Sequence, residues 1–205
     1  MNTEKLYLFY PKFYFMKRIT LTCCTILLLT SINNLYAQNA DEMKAYQDFM
    51  TPGAMHKWMA KFNGTWEADI TSYMNPVKPD KSKATNVMTT IMNGLYQVGD
   101  HDGNMMGMPF KGHSIMGYDN AKKMFVSTWI DNMGSGIIYL SGTYDEATKT
   151  LHLKGKQTNP MNGKEAGIRE AMKITDDNTY TLEMYGDGPG GKEIKYMEGT
   201  FKRKK

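Results

Sequence analysis

Gly64-Thr65-Trp66-Glu67-Ala68-Asp69-Ile70 is the stretch on which the fold turns. Trp66, Ala68 and Ile70 alternate with Glu67 and Asp69, so an extended chain puts apolar side chains on one face and charges on the other. The same period of two recurs as far as Phe201, interrupted by Gly, Asn, Asp and Pro rather than by a helical run. Strands are predicted near 66–74, 83–92, 95–101, 109–118, 123–131, 137–145, 150–157, 165–175, 179–186 and 193–202. Asn93-Gly94, Asp102-Gly103 and Asn162-Gly163 carry the residue types of tight hairpins. Asp119-Asn120, Asp145-Glu146, Asp176-Asp177-Asn178 and Gly188-Pro189-Gly190-Gly191 read as further turns. Such local connections imply an antiparallel meander. Without helices laid over them, short strands must close or stack to protect their edges. The predicted class is all-β, an antiparallel up-and-down barrel of about ten strands.

One or two short helices precede the strands. Residues 41–50 read as the first, ended by Thr51-Pro52-Gly53; residues 54–62 read as the second, with Met55, Trp58, Met59 and Phe62 on one face. The second helix has two placements, plugging a barrel mouth or packing outside. Farther upstream, Lys17-Arg18, the apolar run 19–29 and Leu35-Tyr36-Ala37 have the layout of a cleaved leader, with Met16 a candidate start. The expected organisation is a signal peptide over 1–37, a helical segment over 38–63 and a barrel domain over 64–205, exported to the periplasm or secreted after cleavage near Ala37.

Cys23 and Cys24 fit a lipoprotein cleavage site poorly and leave with the leader, so packing rather than a disulfide is expected to hold the exported chain. Cleavage removes Lys5, Lys12, Lys17 and Arg18 together with Glu4, which brings the net charge of +4 down to +1. That near-neutral balance gives no electrostatic case for nucleic acid or an anionic membrane, and no stable membrane insertion is expected. Monomer and homodimer both remain open. Seventeen of the 19 methionines lie beyond the leader, spread across the predicted strands. They read as filler and adaptable apolar wall rather than as a copper site, with Met105-Met106-Gly107-Met108 a local cluster.

Short strands behind a helical N-terminus resemble the lipocalin and fatty-acid-binding superfamily. Gly64-Thr65-Trp66 resembles the Gly-x-Trp opening of the first lipocalin strand, in which the Trp covers one barrel end against a basic residue of the last strand; Lys202 or Arg203 stands in that place here. Gly107-Met108-Pro109-Phe110, Gly117-Tyr118-Asp119-Asn120, Trp129-Ile130-Asp131-Asn132-Met133-Gly134, Gly142-Thr143-Tyr144-Asp145 and Arg169-Glu170 resemble DUF1579, a bacterial domain family of unknown function. That resemblance implies a lipocalin-like barrel and brings no activity and no catalytic residue with it.

Five residues are candidates for a ligand site: Trp129, Asp131, Tyr139, Glu170 and His113. Phe125, Ser127, Trp129 and Asp131 share one face of a strand, and if that face is inward an indole and a carboxylate enter the lumen. In the competing reading Asp131 and Asn132 cap the Gly-rich turn 132–136 while Trp129 is core. Glu170 shares its face with Ile168, Met172 and Ile174. A carboxyl on such a wall needs a partner or a raised pKa, which suits ligand recognition or a general base; the other placement is at the rim or in an ion pair. His113, with Lys111 and Ile115, lies in a strand open to facing a cavity, whereas His101 reads as part of a turn and His152 as solvent-facing.

No nucleophile elbow and no phosphate-binding loop is present, and the Gly-rich first-strand motif of nitrobindin-type haem barrels is absent. No metal site and no cofactor are predicted. Three functions stay open: a barrel that binds a small, largely apolar ligand inside; a barrel enzyme using Glu170 or Asp131 as general acid/base; and a filled barrel acting through its surface. Analogy of fold ranks binding first.

Overall fold

The alternating segments form ten strands, closed on themselves. The structure, a computed structural model, describes residues 40–205; the expected leader lies outside the described residues. Residues 40–50 form helix α1 and Ala54–Ala60 helix α2. The strands are β1 (Gly64–Ser72), β2 (Asp80–Ile91), β3 (Tyr96–Met105), β4 (Met108–Asp119), β5 (Met124–Asp131), β6 (Ile138–Asp145), β7 (Thr150–Thr158), β8 (Glu165–Asp176), β9 (Thr179–Asp187) and β10 (Glu193–Arg203). Each pairs antiparallel with its sequence neighbour, and β1 pairs with both β2 and β10, Trp66 lying opposite Asn86 on one side and Arg203 on the other. Closure leaves no free edge. Among the described residues no helix is long and apolar enough to cross a membrane.

Parity decides which side chains enter. β1 turns Trp66, Ala68, Ile70 and Ser72 inward, and their partners in β2 are Asn86, Ala84, Ser82 and Asp80. The sense of β2 and β10 follows from the same parity: Asn86 and Met88 line the inside while Val87 is exposed, and Met197, Gly199 and Phe201 line the inside of β10.

The hydrophobic core fills the end that α2 closes and extends to mid-barrel, where Leu153 and Ile168 are buried beside Glu170. Trp58 sits against Phe125, Tyr144 and Phe62 at centroid distances of 5.2, 4.8 and 4.9 Å. Gln97 Nε2 donates to the Met59 carbonyl (2.8 Å) and to Asn63 Oδ1 (2.9 Å), tying the helix end to β3. Trp66 is 0% exposed, and its indole N–H donates to the Phe62 carbonyl at 2.8 Å. The Arg203 guanidinium lies 4.3 Å from the Trp66 ring and donates to the carbonyls of Asn63 (2.6 Å) and Lys61 (2.5 Å). Arg203 therefore holds the basic place expected of Lys202 or Arg203, while Lys202 lies opposite Glu67 in the ladder, on the outer face. Of the two placements for the second helix, the structure takes the plug.

One turn is displaced from its expected position. Asp102-Gly103 is not a hairpin: β3 runs on to Met105, and the chain reverses at Met106-Gly107, where φ is 51° and 80°. Left-handed backbone at two central residues matches the twist of the flanking strands, and glycine adopts it freely. Asn93-Gly94 (φ 56° and 94°) does turn the chain, between β2 and β3.

Candidate functional site

α2 lies across one end of the barrel; at the other, β3 meets β4 at Met105–Met108 and β5 ends at Asp131. The barrel walls are assembled by register. Gly112, Ser114 and Met116 of β4 stand opposite Asp131, Trp129 and Ser127 of β5; Leu153 of β7 and Met184 of β9 flank Glu170 of β8. Met88, Met116, Met172 and Met184 add a soft apolar wall.

Glu170 is the central feature. It sits deep inside the barrel, where burial pushes its carboxyl up from 4.5 to about 7, yet the residue keeps an intermediate share of its surface accessible. Among the described residues it has neither a hydrogen bond nor an ion pair, and no fully buried side-chain oxygen or nitrogen lacks a partner. By parity, the surface Glu170 retains lies on the inner side of the sheet. A polar group in that position lacks both bulk water and a protein donor.

On the opposite wall, five strands away in either direction, β3 places His101. Its Nε2 lies 3.2 Å from Ser114 Oγ and its ring stands edge-on to Trp129 at 4.8 Å. Burial drives the imidazole down from 6.5 to about 4, so it is neutral at physiological pH. The Trp129 ring occupies the position a Cβ on Gly112 would take, so glycine is what lets the indole lie against β4. Phe110 stacks on Trp129 from the rim at 6.2 Å.

The five expected residues divide. Trp129 and Glu170 face the lumen. Asp131 lies at the rim on the same parity, where its carboxylate accepts the Trp129 indole N–H (2.7 Å) and the backbone N–H of Met133 (2.8 Å), thus also capping the turn. Tyr139 and His113 lie outside. Ile138 and Leu140 take the inner positions of β6, leaving Tyr139 52% exposed; Gly112, Ser114 and Met116 take those of β4, leaving His113 on the outer face beside Asp100 at 2.8 Å. His113 does not face a cavity, because the inner side of β4 must be small to admit Trp129. His101 is the residue missed. Its signal was the parity of Gln97, Gly99 and His101, obscured by reading Asp102-Gly103 as a turn.

Charge is sorted between the faces. Every Lys and Arg of the ten strands lies on the outer parity except Arg203, which is bound at the closed end. Two open grooves, about 500 and 570 Å³, lie on the outside of the sheet. Charged side chains such as Arg169 and Glu183, or Lys83 and Asp69, line them and mark them as solvated surface. Among the described residues no group of three His, Cys, Asp or Glu is placed to hold a metal ion.

Fold and site together define a closed ten-stranded antiparallel barrel, capped at one end by α2, with Glu170 and His101 on opposite inner walls. The chain belongs to the DUF1579 family, described as a protein of unknown function, which matches residues 51–203. No curated protein matches it in sequence. The crystal structure of Rv2717c from M. tuberculosis is similar in fold, with a TM-score of 0.59 at 11% identity over 76% of this chain and 100% of that one. The S-type phycobiliprotein lyase CPES from Guillardia theta is similar too, with a TM-score of 0.51 at 10% identity over 75% of this chain and 94% of that one. At such identities the likeness is one of fold.

Proposed function

We propose that this protein binds a small, largely apolar molecule in the lumen of its barrel, reached from the end opposite α2. One observation carries the reading: Glu170, on the inner face of the barrel and without a hydrogen-bond partner among the described residues, keeps part of its surface accessible. On the inner walls stand an aromatic ring, thioethers and a few polar anchors, the composition of small-molecule pockets. The leader-like segment at 16–37 supports a place in the cell envelope.

A neutral apolar fluorophore, N-phenyl-1-naphthylamine, tests the reading. It is expected to bind one to one, and Met184→Trp, which puts an indole into the space beside Glu170, is expected to weaken it about tenfold or more with the fold intact. Binding indifferent to that substitution would overturn the lumen as the site.

A second reading has a specific observation behind it. A carboxyl titrating at about 7 is poised for general acid/base work at neutral pH. In that case Glu170→Gln abolishes turnover while leaving affinity within a few-fold, whereas a recognition role loses affinity.

A further inference from the structure

We propose that the lumen selects apolar molecules bearing a cationic nitrogen, with the ammonium seated on Glu170, and that it rejects apolar anions. The proposal rests on the lumen-binding reading above and adds the charge class of the ligand.

The sorting of charge points there first. A barrel that takes an anionic amphiphile needs a cation on its inner wall, and here the inner parity of all ten strands supplies none below the closed end, where Arg203 already serves Trp66 and two carbonyls. What the wall does supply is acidic: Glu170 at mid-depth and Asp131 at the rim. A carboxylate ligand would enter a low-dielectric space beside another carboxyl with no counter-charge, an arrangement that desolvation penalises heavily.

Glu170 itself supplies the second observation. Its flanking strands offer only apolar groups, Leu153 from β7 and Met184 from β9, so the carboxyl has no donor among the described residues although part of its surface stays accessible. An ammonium brings both the missing donors and the missing charge, in the charge-assisted geometry that makes the strongest hydrogen bonds. The methionines and the face of Trp129 suit the remainder of such a molecule: thioethers accommodate an alkyl or aryl body, and an indole face tolerates a nearby cation. His101, neutral and engaged with Ser114, adds a dipole on the far wall but no competing charge.

Matched ten-carbon probes test this by calorimetry on the purified protein at pH 8: decylamine, decanol and decanoate, each below its aggregation limit. Decylamine is expected to bind about tenfold tighter than decanol, and decanoate about tenfold weaker than decanol. Glu170→Gln, an isosteric change that keeps the volume of the site, is expected to bring decylamine to the affinity of decanol and to leave decanol within about twofold. Decanoate binding as well as decylamine, or a decylamine affinity untouched by Glu170→Gln, overturns the charge class; decanol that still binds and is displaced by Met184→Trp would then leave the lumen reading standing. Failure of all three probes overturns both.

Discussion

Glu170 and His101 occupy opposite walls of one lumen and respond to pH in opposite senses. Glu170 titrates at 4.5 when exposed and at about 7 in the barrel, so between those values the folded state holds the extra proton and stability falls as pH rises. The loss is on the order of 3 kcal/mol and is complete above pH 7. His101 goes from 6.5 down to about 4, so here the unfolded chain takes the proton first and stability falls as pH drops through that range. Glu170→Gln is therefore expected to stabilise the protein by about 2–3 kcal/mol at pH 8 and to change little at pH 4, as read from urea denaturation at the two values. An equal effect at both would mean that Glu170 is solvated or paired. His101→Gln is expected to flatten the acid limb between pH 6.5 and 4, at a cost of about 1 kcal/mol elsewhere from the disturbed contact with Ser114. Legibility at this scale follows parity. Glu170 was readable because Ile168, Met172 and Ile174 share its face. His113 was misplaced because Ile115, two residues on, looks like a core residue and is in fact 40% exposed. The inner side of β4 is small for the sake of Trp129 on β5, and no pattern within β4 reports a neighbour's ring.

Among the elements, the junction of α2, β1 and β10 secures the closed end. Arg203 spans all three through Trp66 and the carbonyls of Asn63 and Lys61. Replacing it with methionine keeps the apolar stem but removes the cation over the indole and the donors to two carbonyls. A loss of about 2–3 kcal/mol is expected in chemical denaturation, with Arg203→Lys recovering less than half because an ammonium cannot make the forked contact. A change below about 0.5 kcal/mol would contradict this role. Gly64-Thr65-Trp66 and the basic pair near the end made the junction legible in sequence, and the strands followed because period two and turn residues agree almost everywhere. The exception was the end of β3. Asp102-Gly103 is a good turn dipeptide, and it was overridden because β2 and β4 pair with β3 through both residues; that pairing is a tertiary fact.

Along the barrel, α2 and its aromatic contacts occupy one end, whereas Trp129 and Asp131 stand toward the other. The stabilising junction and the proposed binding site thus lie at different ends, and substitutions should separate them. Trp129→Ala is expected to weaken lumen binding while sparing most of the fold, whereas Trp66→Ala is expected to destabilise by about 3–5 kcal/mol, as for other buried large-to-small changes. A bound molecule should also raise the thermal midpoint in proportion to its concentration over its Kd. The most direct measurement is native mass spectrometry of the protein purified gently from its own host. A reproducible bound mass at one copy per chain, lost on denaturation and diminished by Trp129→Ala and Glu170→Gln, is the predicted result. A bare protein mass from every such preparation, together with no uptake of an added apolar probe, would contradict the lumen as a binding site.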